Sequence, residues 1–324
     1  MIVAIGLIIL GFALLIKGAD FLVDGASNVA KKFHIPEIII GLTVVSIGTS
    51  MPELFVSVTS AIEGHSDMAM GNVIGSNVCN MLLILGLSAL IRPVRFQKET
   101  RLIEIPFCLA FTVLFMLLCN SGNMITRPEG IVLIGIFALF IIYTILMSSN
   151  GKDEIEEDKN DNEENKEESN NKNKNSILKN IFKIIIGIVA LKMGGDLAVD
   201  NAVEIANYFN ISEKIISLTI LAVGTSLPEL VTSVMAAIKG NSDIAIGNII
   251  GSNIFNMLLI IGVASLISPI TYNTMYNIDM IVSIVAIVIL AIFPMIKSKN
   301  EMSRVNGIIY LLMYVGYLGY LFNA

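Results

Sequence analysis

The sequence is dominated by ten long apolar stretches, at about 2–30, 37–62, 68–91, 102–119, 128–148, 178–206, 214–238, 243–268, 277–296 and 305–322. Each is close to the roughly 20 residues a helix needs to cross the hydrocarbon of a bilayer. The stretches are continuously apolar, whereas the strands of a membrane barrel would alternate, so helices are the expected element. Composition agrees: 55% of residues are hydrophobic, 15% are charged and the mean hydropathy is +0.78, well outside the range of soluble domains. The predicted fold is therefore an all-α integral membrane protein of ten transmembrane helices, with the lipid bilayer as its main partner.

Lys and Arg divide unevenly between alternate connections. One set holds 17 of them, among them Lys31, Lys32, Arg92, Arg95, Lys239, Arg304 and seven lysines from Lys152 to Lys183; the other holds 2, Arg127 and Lys214. Because cytoplasmic connections carry the positive excess, the first set is predicted to be cytoplasmic and both termini external, in a multi-pass protein of the cell membrane. The first stretch lacks a basic segment before it and a small-residue cleavage site after it, so it reads as a span rather than a secretory signal. The net charge of −6 arises from one segment, since residues 152–168 contain ten of the 27 acidic side chains. Residues 149–176 have almost no apolar side chain and read as a solvated cytoplasmic linker; a regulatory Ca2+ sensor is the alternative, but the acidic and glycine alternation of a Ca2+ loop is missing. Nothing elsewhere suggests a nucleic-acid surface. Cys79, Cys108 and Cys119 lie inside apolar stretches without metal spacing and read as small buried hydrophobes.

The linker divides a repeat. Shifted by 176 residues, the two halves align without a gap from about Gly18 to Gly86, and 28 of the 45 positions in 42–86 are identical to those in 218–262. G-T-S-M-P-E-L at 48–54 meets G-T-S-L-P-E-L at 224–230, and G-N-V-I-G-S-N-V-C-N at 71–80 meets G-N-I-I-G-S-N-I-F-N at 247–256. The expected domains are a five-helix repeat over 1–148, the linker 149–176 and a second repeat over 177–324. Five is odd, so the second repeat enters the membrane inverted, an arrangement that places a transporter's binding site at the midplane between the repeats.

Glu53 and Glu229 fall about midway along the second and seventh stretches. A carboxylate at that depth is costly and is by default a functional residue; the alternative is a protonated, hydrogen-bonded structural glutamate. Pro52 and Pro228 cannot donate to the carbonyls of Gly48 and Gly224, so each helix should break there and expose oxygen. Thr49, Ser50, Thr225 and Ser226 place hydroxyls beside the breaks, unless these back-bond to their own helices. On the third and eighth stretches, Ser76 and Asn80, and likewise Ser252 and Asn256, are four residues apart and share a face. Asn72 and Asn248 extend the stripe, while Gly71, Gly75, Gly247, Gly251, Asn77 and Asn253 read as packing residues. Every proposed ligand is an oxygen, which suits hard cations. Ca2+ accepts six to eight oxygens in flexible geometry, and Mg2+ is disfavoured by its reluctance to lose water.

These paired motifs resemble the two α-repeats of the sodium/calcium exchanger family, within the cation/calcium antiporter superfamily, over essentially the whole chain. The resemblance implies a non-enzymatic antiporter without a cofactor, which transports Ca2+ and Na+ and binds them between the second, third, seventh and eighth helices. It implies Glu53 and Glu229 as the Ca2+ carboxylates and Thr49 and Thr225 as carbonyl donors to Ca2+. Ser50, Ser76, Ser226 and Ser252 resemble sodium ligands, together with the backbone carbonyl of Ala222 and its counterpart Ser46. Some members have Asp where this chain has Asn256, which favours potassium-independent exchange; K+-dependent and Ca2+/H+ exchange are the alternatives. A monomer is the expected functional unit.

Two other classes use similar residues. A cation channel could share the ligands but would need a continuous pore. An intramembrane hydrolase would need a catalytic pair, and the aspartates available, Asp20, Asp24, Asp196 and Asp200, are expected near the cytoplasmic ends of the first and sixth stretches, paired with Lys17 and Lys192. Those two long stretches are expected to make few fixed polar contacts and to move against a rigid ligand cluster.

Overall fold

The computed structural model describes residues 2–150, 168–209, 222–296 and 300–323. The chain is helical almost throughout: α1 (Ile2–Phe33), α2 (Glu37–Thr49), α3 (Met51–Ile62), α4 (Ser66–Ile91), α5 (Thr100–Gly122), α6 (Arg127–Asn150), α7 (Glu168–Tyr208), α8 (Ala222–Gly224), α9 (Leu227–Lys239), α10 (Ser242–Ile267), α11 (Tyr276–Ile296) and α12 (Arg304–Asn323). Among the described residues, six helices are each long and apolar enough to cross a membrane, and the pair α2–α3 makes a seventh. The sequence predicts ten. The difference of three has local causes: α7 carries six charged side chains between Lys179 and Glu204, residues 210–221 of the seventh stretch, Lys214 among them, lie outside the described residues, and α12 is diluted by Arg304, Asn306, three glycines and four tyrosines.

Most of the expected linker, 149–176, lies outside the described residues. α6 continues to Asn150 and α7 begins at Glu168, while 151–167 lie outside the described residues. Helix is cheap to extend once the apolar span has nucleated it.

Four two-residue strands join the connections. β1 (Val94–Arg95) pairs with β4 (Glu301–Met302), and β2 (Met124–Ile125) pairs with β3 (Ile270–Thr271), both antiparallel. The first pair joins two connections of the lysine- and arginine-rich set and is extended by hydrogen bonds from Gln97 to Asp243 and from Arg304 Nη2 to the carbonyl of Ile91. The second joins two connections of the poor set, beside the hydrogen bonds Ser66–Thr271 and Asn120–Asn277. Each of these links stays within one set, as helices that alternate in direction require.

α1 and α7 pack antiparallel along their length. A Cβ on Gly11 would lie 2.8 Å from the carbonyl oxygen of Gly194, one on Gly18 2.9 Å from that of Gly187, and one on Gly25 2.9 Å from that of Asn180. Glycines seven residues apart fall on one helix face and let the backbones touch. This direction corrects the placement of the sixth-stretch aspartates. Asp196 and Asp200 lie level with the start of α1, at the opposite end from Asp20 and Asp24. The pairing also differs. Lys192 does meet Asp196, at 2.6 Å, but Asp20 and Asp24 are held by Lys239 of α9, at 2.5 and 2.6 Å, with Lys183 Nζ 3.8 Å from Asp24. α1 is thus polar-bonded to the rest of the protein, against the expectation of few such contacts. The partner was invisible in the sequence because it comes from a helix 215 residues away.

The three cysteines are buried and unpaired, as expected.

Candidate functional site

Proline sets the site by breaking two helices. α2 and α3 meet at an angle of 48°. The hinge residue Ser50 leaves helical geometry at φ −83°, ψ 10°, and Pro52 opens α3. Ser226 repeats this at φ −87°, ψ 7°, with Pro228 opening α9. Glu53 and Glu229 therefore stand in the first turns of α3 and α9, where the partial positive charge of a helix start favours a carboxylate. α7 crosses both breaks, since a Cβ on Gly48 would meet Ile188 and one on Gly224 would meet Val199.

The halves then interlock by reciprocal contacts. Ser50 Oγ donates to Glu229 Oε1 at 2.7 Å, and Ser226 Oγ donates to Glu53 Oε1 at 3.3 Å. Within each half, Asn72 Nδ2 donates to Ser57 Oγ at 3.0 Å and Asn248 Nδ2 to Ser233 Oγ at 2.9 Å. Thr49 Oγ1 lies 3.0 Å from Asn248 Oδ1, and Thr225 Oγ1 lies 3.4 Å from Asn72 Oδ1. Deeper along α4 and α10, Asn80 Nδ2 donates to Asn253 Oδ1 and Asn256 Nδ2 donates to Asn77 Oδ1, each at 3.0 Å. Glu53 and Glu229 are each 1% exposed.

The structure thus brings Glu53 to Ser226 and Glu229 to Ser50, sets Thr49 and Thr225 against Asn248 and Asn72, and bonds Asn80 and Asn256 across α4 and α10 to Asn253 and Asn77. Ser76 and Ser252 are buried on the same faces of α4 and α10, one turn before Asn80 and Asn256. Ser46 lies one turn before the break, its hydroxyl donating to the carbonyl of Leu42 at 2.8 Å and its own carbonyl accepting from the backbone of Ser50 at 3.0 Å. Ala222 opens α8 at the corresponding position. Asn77 and Asn253, read from the sequence as packing residues, instead orient Asn256 and Asn80. Ser57 and Ser233 escaped notice although both stand one turn after the glutamates and repeat at the 176-residue shift. The π-helical turns Cys79–Ile84 and Asn256–Ile260 occur in both repeats at the asparagines, re-aiming the helix face there.

Six buried oxygens repeat between the halves. Oε2 of Glu53 and Glu229, Oγ of Ser76 and Ser252, and Oδ1 of Asn80 and Asn256 are buried without a hydrogen-bond partner. Each such atom costs about 1–3 kcal/mol. Seven other side chains carry an unpartnered buried atom, from Ser88 to Ser283, and none of those recurs at the 176-residue shift; these six all do. They are oxygens of the kind that accept from a positive charge, and two of them belong to carboxyl groups. Among the described residues, no group of three or more His, Cys, Asp and Glu side chains forms a metal site of the usual kind. The arrangement instead suits an ion held by a few charges and many neutral oxygens, which can be released.

Known proteins resemble this chain in sequence and architecture. The description "sodium/calcium exchanger protein" matches residues 3–146 and 179–323. Inner membrane protein YrbG of Escherichia coli strain K12 is 36% identical over 290 residues, covering 88% of each chain. Sodium/calcium exchanger MaX1 of Methanosarcina acetivorans is 33% identical over 342 residues, covering 98% of this chain and 97% of that one. A solved structure of the sodium-calcium exchanger NCX_Mj superposes with a TM-score of 0.83 at 30% identity, over 99% of both chains. The chain is a member of the sodium/calcium exchanger family.

Proposed function

We propose that this protein exchanges Na+ for Ca2+ across the cell membrane by alternating access, with all ten apolar stretches crossing the bilayer and the termini outside. Membership of the family makes it a cation/Ca2+ antiporter; the coupling ion and the ligands are our reading. The observation that carries it is the set of six repeated, buried, unpartnered oxygens. Their number fits the six to eight ligands of Ca2+, and two carboxylates balance its charge. Redistributed with the hydroxyls of Ser50 and Ser226, the same oxygens hold Na+ ions, so the two species compete rather than bind together. Competition for one occluded site is what couples their movements: the empty site would carry two uncompensated carboxylates across a dry barrier. The charge asymmetry of the connections supports a cytoplasmic linker. We take a monomer to be sufficient, because both halves of the site come from one chain.

The test is Ca2+ uptake into proteoliposomes loaded with Na+, with K+, or with only a pH gradient. Uptake driven by outward Na+ alone is the expected result, and uptake driven equally by a pH gradient would overturn Na+ as the coupling ion. Asn256 supplies an amide rather than a carboxylate, so it offers K+ no anionic partner. Omitting K+ from both sides should leave the Na+-driven rate unchanged, and a strict K+ requirement would show that reading of Asn256 to be wrong.

A further inference from the structure

The two faces of the protein are closed unequally, although the repeat would allow them to match. On the face of the Lys- and Arg-rich connections, Val231 and Met235 of α9 pack into a buried cluster that includes Leu15, Ala19, Leu22 and Val23 of α1. The positions related to them by the 176-residue shift are Phe55 and Thr59 of α3. These are exposed, Phe55 by 58%, and the next residue on that helix face, Glu63, is exposed as well, whereas its counterpart Lys239 is half-buried. The α1–α7 pair is therefore docked against α9 and withdrawn from α3.

Charge follows the same division. Lys239 Nζ donates to Asp20 Oδ1 at 2.5 Å, Asp24 Oδ1 at 2.6 Å and the carbonyl oxygen of Asp20 at 3.1 Å, which uses all three ammonium protons. Lys183 of α7 stands 3.8 Å from the other oxygen of Asp24. The cluster thus ties α1 directly to α9, and α7 to α1 through Asp24. Under the repeat, Asp20, Asp24 and Lys239 correspond to Asp196, Asp200 and Glu63, and Lys183 corresponds to Leu7. Docking of the pair on α3 would set Glu63 against Asp200 and against Asp196, which already holds Lys192 at 2.6 Å, so it would gain no ion pair to match that of Lys239 and would bring carboxylates together.

We infer that Lys239, Asp20, Asp24 and Lys183 form a one-sided ionic latch that biases the empty carrier toward the state closed at this face and open at the other. The inference rests on the alternating access proposed above. An exchanger built from repeats would otherwise have nearly equal access states, and a ligand or contact shifts such an equilibrium only by its differential interaction with the two. The latch supplies that difference, because it exists in one state alone. With the lysine-rich face in the cytoplasm, the empty carrier waits open to the outside.

The test uses full-length protein in nanodiscs, with both faces reachable, in buffer free of Na+ and Ca2+. Reporters are Phe55→Cys and Val231→Cys, labelled with a hydrophilic maleimide; Cys79, Cys108 and Cys119 are buried and give a low background. Phe55→Cys should label quickly and Val231→Cys slowly. Adding Lys239→Gln should raise the Val231→Cys rate about fivefold, the size expected for losing an ion pair at the upper end of the partly exposed range. Asp20→Asn with Asp24→Asn should do the same, and serves if Lys239→Gln folds poorly. Glu63→Lys, which builds the missing latch at the other face, should slow Phe55→Cys. Unchanged Val231→Cys labelling in both latch variants would overturn the inference. Labelling is read without transport, so absence of Na+-driven uptake by the wild-type protein would count against the antiport reading alone.

Discussion

Glu53→Gln and Glu229→Gln should each reduce Na+-driven Ca2+ uptake about 100-fold or more while leaving the fold intact. The two carboxylates are the anionic members of the site, and each accepts a hydrogen bond from the serine hydroxyl of the other repeat. Glutamine keeps the shape and can still accept that hydrogen bond, but it leaves Ca2+ with one uncompensated charge in a buried site. Removing one partner of a buried charge pair costs about 3–5 kcal/mol, and 1.4 kcal/mol is already tenfold. Thermal unfolding in ion-free buffer should be unchanged or slightly higher, because the variant no longer buries a carboxylate. Uptake within tenfold of wild type for either variant would exclude that glutamate as a Ca2+ ligand.

The second large effect should come from a residue that touches no ion. A Cβ on Gly251 would lie 2.6 Å from the carbonyl oxygen of Leu42 and 2.6 Å from Ser46 Oγ, and one on Gly247 would lie 2.7 Å from the carbonyl oxygen of Ile38. These contacts set α10 directly against α2, one turn before the break at Ser50. Because backbone atoms receive the clash, Gly251→Ala must push α2 away, at a cost of about 1–3 kcal/mol. It also moves Ser50 from the Glu229 carboxylate it now meets at 2.7 Å. We expect at least a tenfold fall in exchange and a melting temperature lower by several degrees. Gly135→Ala on α6 is the control, since among the described residues nothing lies within 4 Å of its Cβ position. That change should preserve transport and, by helix propensity, slightly stabilise the protein. Equal behaviour of the two variants would show that the α2–α10 contact does not position the site.

What could be read in the sequence was whatever the chain marks locally or repeats. Pro52 and Pro228 announce the helix breaks by their chemistry, and Glu53 and Glu229 are conspicuous because a carboxylate in an apolar helix is expensive. Ser50, Ser226, Ser76, Ser252, Asn80 and Asn256 followed from the 176-residue shift. Contacts that depend on how helices meet were not legible. Asn77 and Asn253 differ from packing asparagines only in lying opposite Asn256 and Asn80, which the register of α4 on α10 decides. The attachment of Asp20 and Asp24 to Lys239 was likewise hidden, since Lys17 is nearer in sequence. The glycines at 11, 18, 25, 187 and 194 were readable as seven-residue spacings but passed as ordinary members of apolar stretches. The π-helical turns carry no local propensity signal and come from tertiary packing.

Equilibrium Ca2+ binding to the purified protein, measured with radioactive Ca2+ as Na+ is raised at constant ionic strength, tests most directly whether one site serves both ions. The expected result is saturable binding that Na+ displaces more steeply than a single ion could, that K+ at the same concentration leaves in place, and that is lost in Glu53→Gln with Glu229→Gln. Binding that Na+ does not displace, or that survives replacement of both glutamates, would contradict a shared site between the repeats.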